Sequence, residues 1–228
     1  MSREEEDILE FGSLLSKLEN RRVRIIYDSL YAVRSLLFYH ILPYFSSEKR
    51  LFMVVYTDSM YRRLENTYYS ISELEVKEIL NKVNIIKIGQ KENTSLGELY
   101  RFIPRSTPRE DLDELKTTLE KLSDNDLVVF FGLFLVYAFD RSVICDLFNL
   151  FDALPEKITL FDLHLDGVYD DMANNIVTKL YDVILRIKKE TEFFGEDAYL
   201  VGVEESILMD IPPSYERFKI VDSRFTKI

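Results

Sequence analysis

The sequence predicts an α/β fold: a mostly parallel sheet flanked by helices, with antiparallel strands at the C-terminal end. Three observations lead there. Short apolar, β-rich runs recur along the chain, and helix-length segments separate the first five, the spacing of βαβ units. The intervening segments carry apolar residues at helical spacing behind recognisable start signals. The last three apolar runs follow one another through short connections, as in an antiparallel meander closing one edge.

Taken in order, "EDILEFGSLLSKLEN" comes first. Within an N-terminal helical segment, residues 1–20, it spaces Ile8, Leu9, Phe11, Leu14, Leu15 and Leu18 to pack on the sheet or against a second subunit. Val23–Tyr27 is the first strand, and Asp28 to Val33 reads as a turn. Val33, Leu36, Leu37, His40, Ile41 and Tyr44 then mark a helix face, with Pro43 near its end and His40 as a satisfied, partly buried histidine. Phe52–Tyr56 is a strand; "SELEVKEIL" offers a capping box, Ser72 with Glu75; Asn84–Ile88 is a strand. Asn93–Ser106 reads as an extended connection. "STPREDLDELKTTLEKL" holds the clearest start signal, with Thr107 as cap, Pro108 at the first helical position and Glu110 completing the box. Its buried stripe is Leu112, Leu115, Leu119 and Leu122. Leu127–Phe131 and Ile158–Leu163 are strands, and a helix after them faces inward through Met172, Ile176 and Leu180. Val183–Ile187, Tyr199–Val203 and Phe218–Val221 close the sheet. With no repeat, low-complexity tract or Pro/Gly-rich linker, residues 1–228 are expected to form a single domain.

The totals exclude several classes. At 47% hydrophobic residues the chain can bury a sizeable core. Lys+Arg 29 against Asp+Glu 40 gives a net charge of −11, which repels phosphate backbones and disfavours nucleic acid. Arg21, Arg22 and Arg24, and Arg62 and Arg63, cluster in sequence and read as solvated faces. The single cysteine, Cys145, excludes an internal disulfide and sits in "RSVICDLFNLF" as a buried, inert thiol. "MSREEED" is the reverse of a basic signal sequence, and the apolar run Leu127 to Phe139 falls short of the roughly 20 residues that span a bilayer. A cytoplasmic protein without membrane contact is expected. Charged residues at 30% and a single glutamine, Gln90, lean towards a hyperthermophile.

The junction after the first strand invites comparison with a phosphate-binding loop, where glycines let backbone N–H groups converge on phosphates, a lysine neutralises them and a hydroxyl holds Mg²⁺. Placed here, that frame covers Asp28 to Ser35. Its last two positions, Arg34 and Ser35, give a basic residue and a hydroxyl. Asp28 and Val33 take the places of the glycines, one a negative charge and the other β-branched, and Tyr31 adds bulk.

The wider order of elements resembles the core of RecA-type ATPases, and most of all the small archaeal KaiC-like domains. The resemblance rests on the strand, loop and helix at Val23 to Tyr44, then "LFMVVYTDSM", "DNDLVVFFGLF", "KITLFDLHL", "AYLVGVEES" and "YERFKIVD". It spans nearly the whole chain and implies a three-layer core. More narrowly, the chain resembles a degenerate KaiC-like family of hyperthermophilic archaea. Carried over position by position, the resemblance puts Arg34 in the place of the loop lysine, Ser35 in that of the Mg²⁺-binding hydroxyl and Asp58 near the water-activating acid. Phe131 replaces the Mg²⁺-site aspartate, and Glu204 and Glu205 stand where relatives carry basic residues. It therefore implies a non-hydrolysing pseudo-ATPase with no catalytic residue, metal or cofactor, and with Arg34, Ser35 and Asp58 as vestigial nucleotide-site positions. Its role would be regulation or assembly, through a protein partner or self-association, with Tyr61, Tyr68 and Tyr69 either at an interface or in helix seams.

Two other readings stand beside it. The crevice could serve as a small-molecule or nucleotide sensor, with Arg34 gripping an anion. Alternatively, Asp162, His164 and Asp166 alternate in "FDLHLDGVYDD", share a strand face and suggest a metal-dependent enzyme, although one strand splays such ligands too far apart for a chelate on its own.

Overall fold

The computed structural model describes residues 12–191 and 197–228. Its frame is a ten-stranded sheet in the order β10-β9-β8-β7-β1-β6-β5-β2-β3-β4. The strands are β1 Arg22–Tyr27, β2 Arg50–Tyr56, β3 Asn84–Gly89, β4 Glu98–Pro104, β5 Asp126–Phe131, β6 Thr159–Leu165, β7 Val183–Thr191, β8 Asp197–Ser206, β9 Ser214–Val221 and β10 Arg224–Lys227. From β7 across to β4 every pairing is parallel. β8, β9 and β10 add an antiparallel flank.

Burial on both faces explains why the inner strands read as nearly unbroken apolar runs. One face carries Ile25, Met53, Val55, Val129 and Phe161 under the helices that follow β1 and β2. The other carries Phe52, Val54, Val128, Phe130 and Leu160 under Leu112, Leu115, Leu147 and Phe151. Three layers result, as the resemblance implied.

Each expected strand is present, and two further strands appear. β4 lies at one edge with most of its residues exposed or half-buried, so it shows no apolar run. β10 is a four-residue strand at the other edge. The helix after β1 runs Leu30–Leu36, widens into a π turn at Leu37–Ile41 and ends as Leu42–Phe45. Pro43 lacks an N–H and its ring crowds the carbonyl four residues back, a local cause for the wider turn. The extra residue moves the stripe: Leu42 and Phe45 are buried, whereas Tyr44 turns outward.

Thr107 and Glu110 form the expected capping box, and Leu112, Leu115, Leu119 and Leu122 are buried. The box expected at Ser72 and Glu75 does not form. The helix Leu74–Asn81 starts after Glu73, which leaves Ser72 outside the cap position. In the helix Asp171–Thr178 the inward residues are Ala173 and Val177, not Met172 and Ile176. Capping by Asp170 sets the helix phase there, and Met172 is 75% exposed. Cys145 is exposed rather than buried, because its helix turns Leu147, Leu150 and Phe151 inward instead. Near the N-terminus residues 12–17 are helical; Leu15 and Leu18 are buried and Leu14 half-buried, while Ile8, Leu9 and Phe11 lie outside the described residues. Among the described residues no helix is long and apolar enough to cross a membrane.

Candidate functional site

The parallel strands end on one rim. The helix after β1 and the helix Asp58–Ser70 after β2 lie on one face of the sheet. The helices after β5 and β6 contribute Leu147, Leu150 and Val177 to the other. β6 and β5 sit between β1 and β2 in the sheet, so connections diverge to opposite faces at this rim. Such divergence opens a crevice beyond the carboxyl ends of the strands, where α/β proteins place ligands.

The turn after β1 consists of Asp28 and Ser29 alone, because the helix begins at Leu30. Ser29 Oγ accepts the Ala32 N–H at 3.3 Å and caps the helix. No glycine is present to hold a wider loop open, so six of the eight positions of the phosphate-loop frame are helical. The Asp28 carboxylate accepts the Lys189 N–H at 2.9 and 3.1 Å, tying the turn to β7. Ser35 is buried and its hydroxyl donates to the Ser223 carbonyl at 2.6 Å, in the turn between β9 and β10. Arg34 donates to the Arg63 carbonyl at 3.1 Å. Burial, and then the charge of neighbouring Arg63, lower its pKa. Phe131 is buried in the core.

Asp58 also turns to a structural task. Its carboxylate accepts the Gln90 N–H at 2.8 Å and pairs with the buried Lys87 ammonium at 3.3 Å. Burial opposes its charge, but those partners outweigh the penalty and hold its carboxyl below the ordinary carboxylate range. A Cβ at Gly89 would lie 2.7 Å from Asp58 Oδ1, so glycine there leaves room for this carboxylate. Glu204 pairs with Arg186 at 2.9 Å and Glu205 with Lys179 at 3.5 Å. Tyr61 is buried with its hydroxyl accepting the Ser95 and Leu96 N–H groups, and Tyr68 bonds Asn81; both stitch seams, whereas Tyr69 is exposed.

Beside the closed turn lies an open cleft of about 400 Å³, lined by Tyr27, Thr57, Ser59, Arg63, Arg105 and a set of apolar side chains that includes Phe134 and Phe139. Arg105 follows directly on β4, the strand that sequence reasoning missed. Thr57 joins β2 to its helix at φ 84°, an uncommon conformation for a β-branched residue. Gly132, at φ 87°, ends β5 where a Cβ would meet Met60 at 2.9 Å.

Asp162 and His164 do come together, but Asp166 does not join them. β6 stops at Leu165, so Asp166 lies beyond the strand and pairs with Arg186 at 3.0 Å. His164 Nε2 sits 2.7 Å from Asp162 Oδ2, and the Tyr181 hydroxyl donates to the same oxygen. Arg24, expected on a solvated face, is only 2% exposed; it donates to Thr178 and lies over the Tyr169 ring. Its Cα neighbour across the β1–β6 ladder is Asp162, which explains its inward direction. Burial lowers the pKa of His164 against the pull of Asp162, and burial raises that of Tyr181. Among the described residues no group of three or more His, Cys, Asp or Glu side chains is placed to hold a metal ion.

No protein-family model matches the sequence, and no curated protein matches it. Solved structures do. A KaiC-like protein from the hyperthermophilic archaeon Pyrococcus horikoshii superposes with a TM-score of 0.62 at 12% identity, over 92% of this chain and 90% of that one. A second protein from Pyrococcus horikoshii gives 0.64 at 15% identity, over 90% and 96%. Identities this low speak for the backbone and not for the chemistry, so the conclusion is one of architecture: this chain has the RecA/KaiC-like fold.

Proposed function

We propose that this chain is a non-hydrolysing KaiC-like domain that works as a regulatory or assembly module, engaging a protein partner or a second copy of itself. One observation carries the reading: the side chains at the former nucleotide-site positions are already bonded within the protein. Asp28 holds β7, Ser35 holds the β9–β10 turn, Arg34 holds the next helix and Asp58 neutralises Lys87. Phosphoryl transfer works by positioning and charge neutralisation. Asp28 instead puts a carboxylate at the mouth of the helix, where phosphate charge would gather. The buried phenyl ring of Phe131 cannot coordinate a cation.

The test is ATP hydrolysis by the full chain with Mg²⁺. Turnover indistinguishable from buffer is expected. Mg²⁺-dependent hydrolysis that disappears in Ser35→Ala or Asp58→Ala would sink the proposal. For the module role, solution mass should show self-association or a copurifying protein; a monomer that copurifies with nothing counts against it.

A further inference from the structure

The cleft at the rim gathers cations. Arg63 and Arg105 line it, and no carboxylate does. Among the described residues neither arginine forms an ion pair with an acidic side chain. The chain carries 40 acidic residues against 29 basic ones, so two unpaired arginines in one concavity go against its composition. Arg105 is also held in place: its guanidinium lies 4.5 Å from the Phe139 ring centroid and 5.6 Å from that of Tyr56. Arg34 stands behind Arg63 and adds a third positive charge, donating to the Arg63 backbone carbonyl. The remaining wall is apolar, and Phe139 and Leu165 present ring and alkyl surface to solvent at 53% and 42% exposure.

We propose that this cleft binds a small organic anion, its carboxylate or phosphate head held by Arg63 and Arg105 and its apolar body resting on Phe134 and Phe139. Paired guanidinium groups suit planar or tetrahedral oxyanions. A space of about 400 Å³ lies within the range of small-molecule pockets. The apolar wall favours an aromatic or branched hydrocarbon body over a sugar. The cleft borders the closed turn through Tyr27 and Leu30, but Arg63 and Arg105 come from other elements, so the anion site does not require the domain to hydrolyse ATP.

Calorimetric titration of the full chain with phenyl phosphate, 4-phenylbutyrate, the neutral 4-phenylbutyramide and MgATP tests it. Saturable binding of at least one acid is expected, with the amide at least about tenfold weaker. Comparing the two acids identifies the head. Arg63→Ala and Arg105→Ala should each weaken acid binding by about tenfold or more, while Arg62→Ala on the exposed neighbouring position leaves it unchanged. Arg105→Lys keeps the charge and guards against a folding defect; partial rescue is expected. The proposal is overturned if neither acid saturates below about 20 mM, if the amide binds as well as the acids, if both alanine variants bind normally, or if MgATP alone binds.

Discussion

Two neighbouring parts of the rim treat their polar groups in opposite ways. In the turn after β1, the helix behind it and the start of the helix after β2, Asp28, Ser35, His40 and Asp58 each meet a partner inside the protein. Among the described residues, Arg63 and Arg105 in the adjacent cleft form no ion pair with an acidic side chain. Polar groups inside a fold are normally satisfied because leaving one unpaired is costly. The difference therefore separates residues that hold the structure together from residues left available to something outside it. Stability measurements can break or sharpen that division: substitutions on the closed side should destabilise, and substitutions on the open side should not.

The largest effect is expected at Asp58. Asp58→Ala leaves the Lys87 ammonium, which is 2% exposed, without its carboxylate. Breaking a buried pair from one side costs about 3 kcal/mol or more, and the one-third exposure of Asp58 brings the expectation to about 2–3 kcal/mol. Urea denaturation measures it. A loss under about 0.5 kcal/mol would place Asp58 on the open side.

His40 gives a pH-dependent version. Its Nε2 accepts the Phe225 N–H at 3.2 Å, which anchors β10 to the helix after β1. Burial, and then the charge of Arg224, push its pKa down to about 4 from 6.5. Between those values the unfolded chain takes up a proton that the folded one refuses. Stability present above pH 6.5 should fall as the pH drops and level off below about 4. The contribution of this one group is at most about 3 kcal/mol. Comparing the pH–stability curves of the native chain and His40→Gln isolates it. Parallel curves would show that His40 is not the source.

How much of this division could be read from the sequence depends on two edge strands. The βαβ order, the apolar central strands and the capping box at Thr107 were legible because burial and capping leave strong local patterns. β4 and β10 were not. Edge strands expose most of their side chains and need no apolar run. Yet β10 and the turn before it close the helix through Ser223 and Phe225, and β4 carries Arg105 to the cleft. The absence of loop glycines was visible at Asp28 and Val33. The partner of Ser35 was not, since Ser35 and Ser223 lie 188 residues apart. Arg24 was misread for a similar reason. It clusters in sequence with Arg21 and Arg22, but its neighbours in space are Asp162 and Tyr169.

Ser35 tests the contact that ties β9 and β10 to the helix. Ser35→Ala removes a donor of small volume and leaves the Ser223 carbonyl without that bond, so a loss of about 1–2 kcal/mol is expected. Thermal unfolding at neutral pH reads it, and Ser35→Thr, which keeps the hydroxyl, should recover part of the loss. No change in either variant would mean that the bond to Ser223 contributes nothing measurable to stability.

The smallest effect belongs to Arg63, and there the sign carries the argument. Its backbone carbonyl serves Arg34, but its own guanidinium is exposed and faces another positive charge. Arg63→Ala removes that repulsion and no ion pair, so stability should stay within about 0.5 kcal/mol or rise slightly. Any gain should shrink in high salt, because screening already weakens repulsion between exposed charges. A loss of about 1 kcal/mol or more would mean that Arg63 has an internal task after all, and the two parts of the rim would then be built alike.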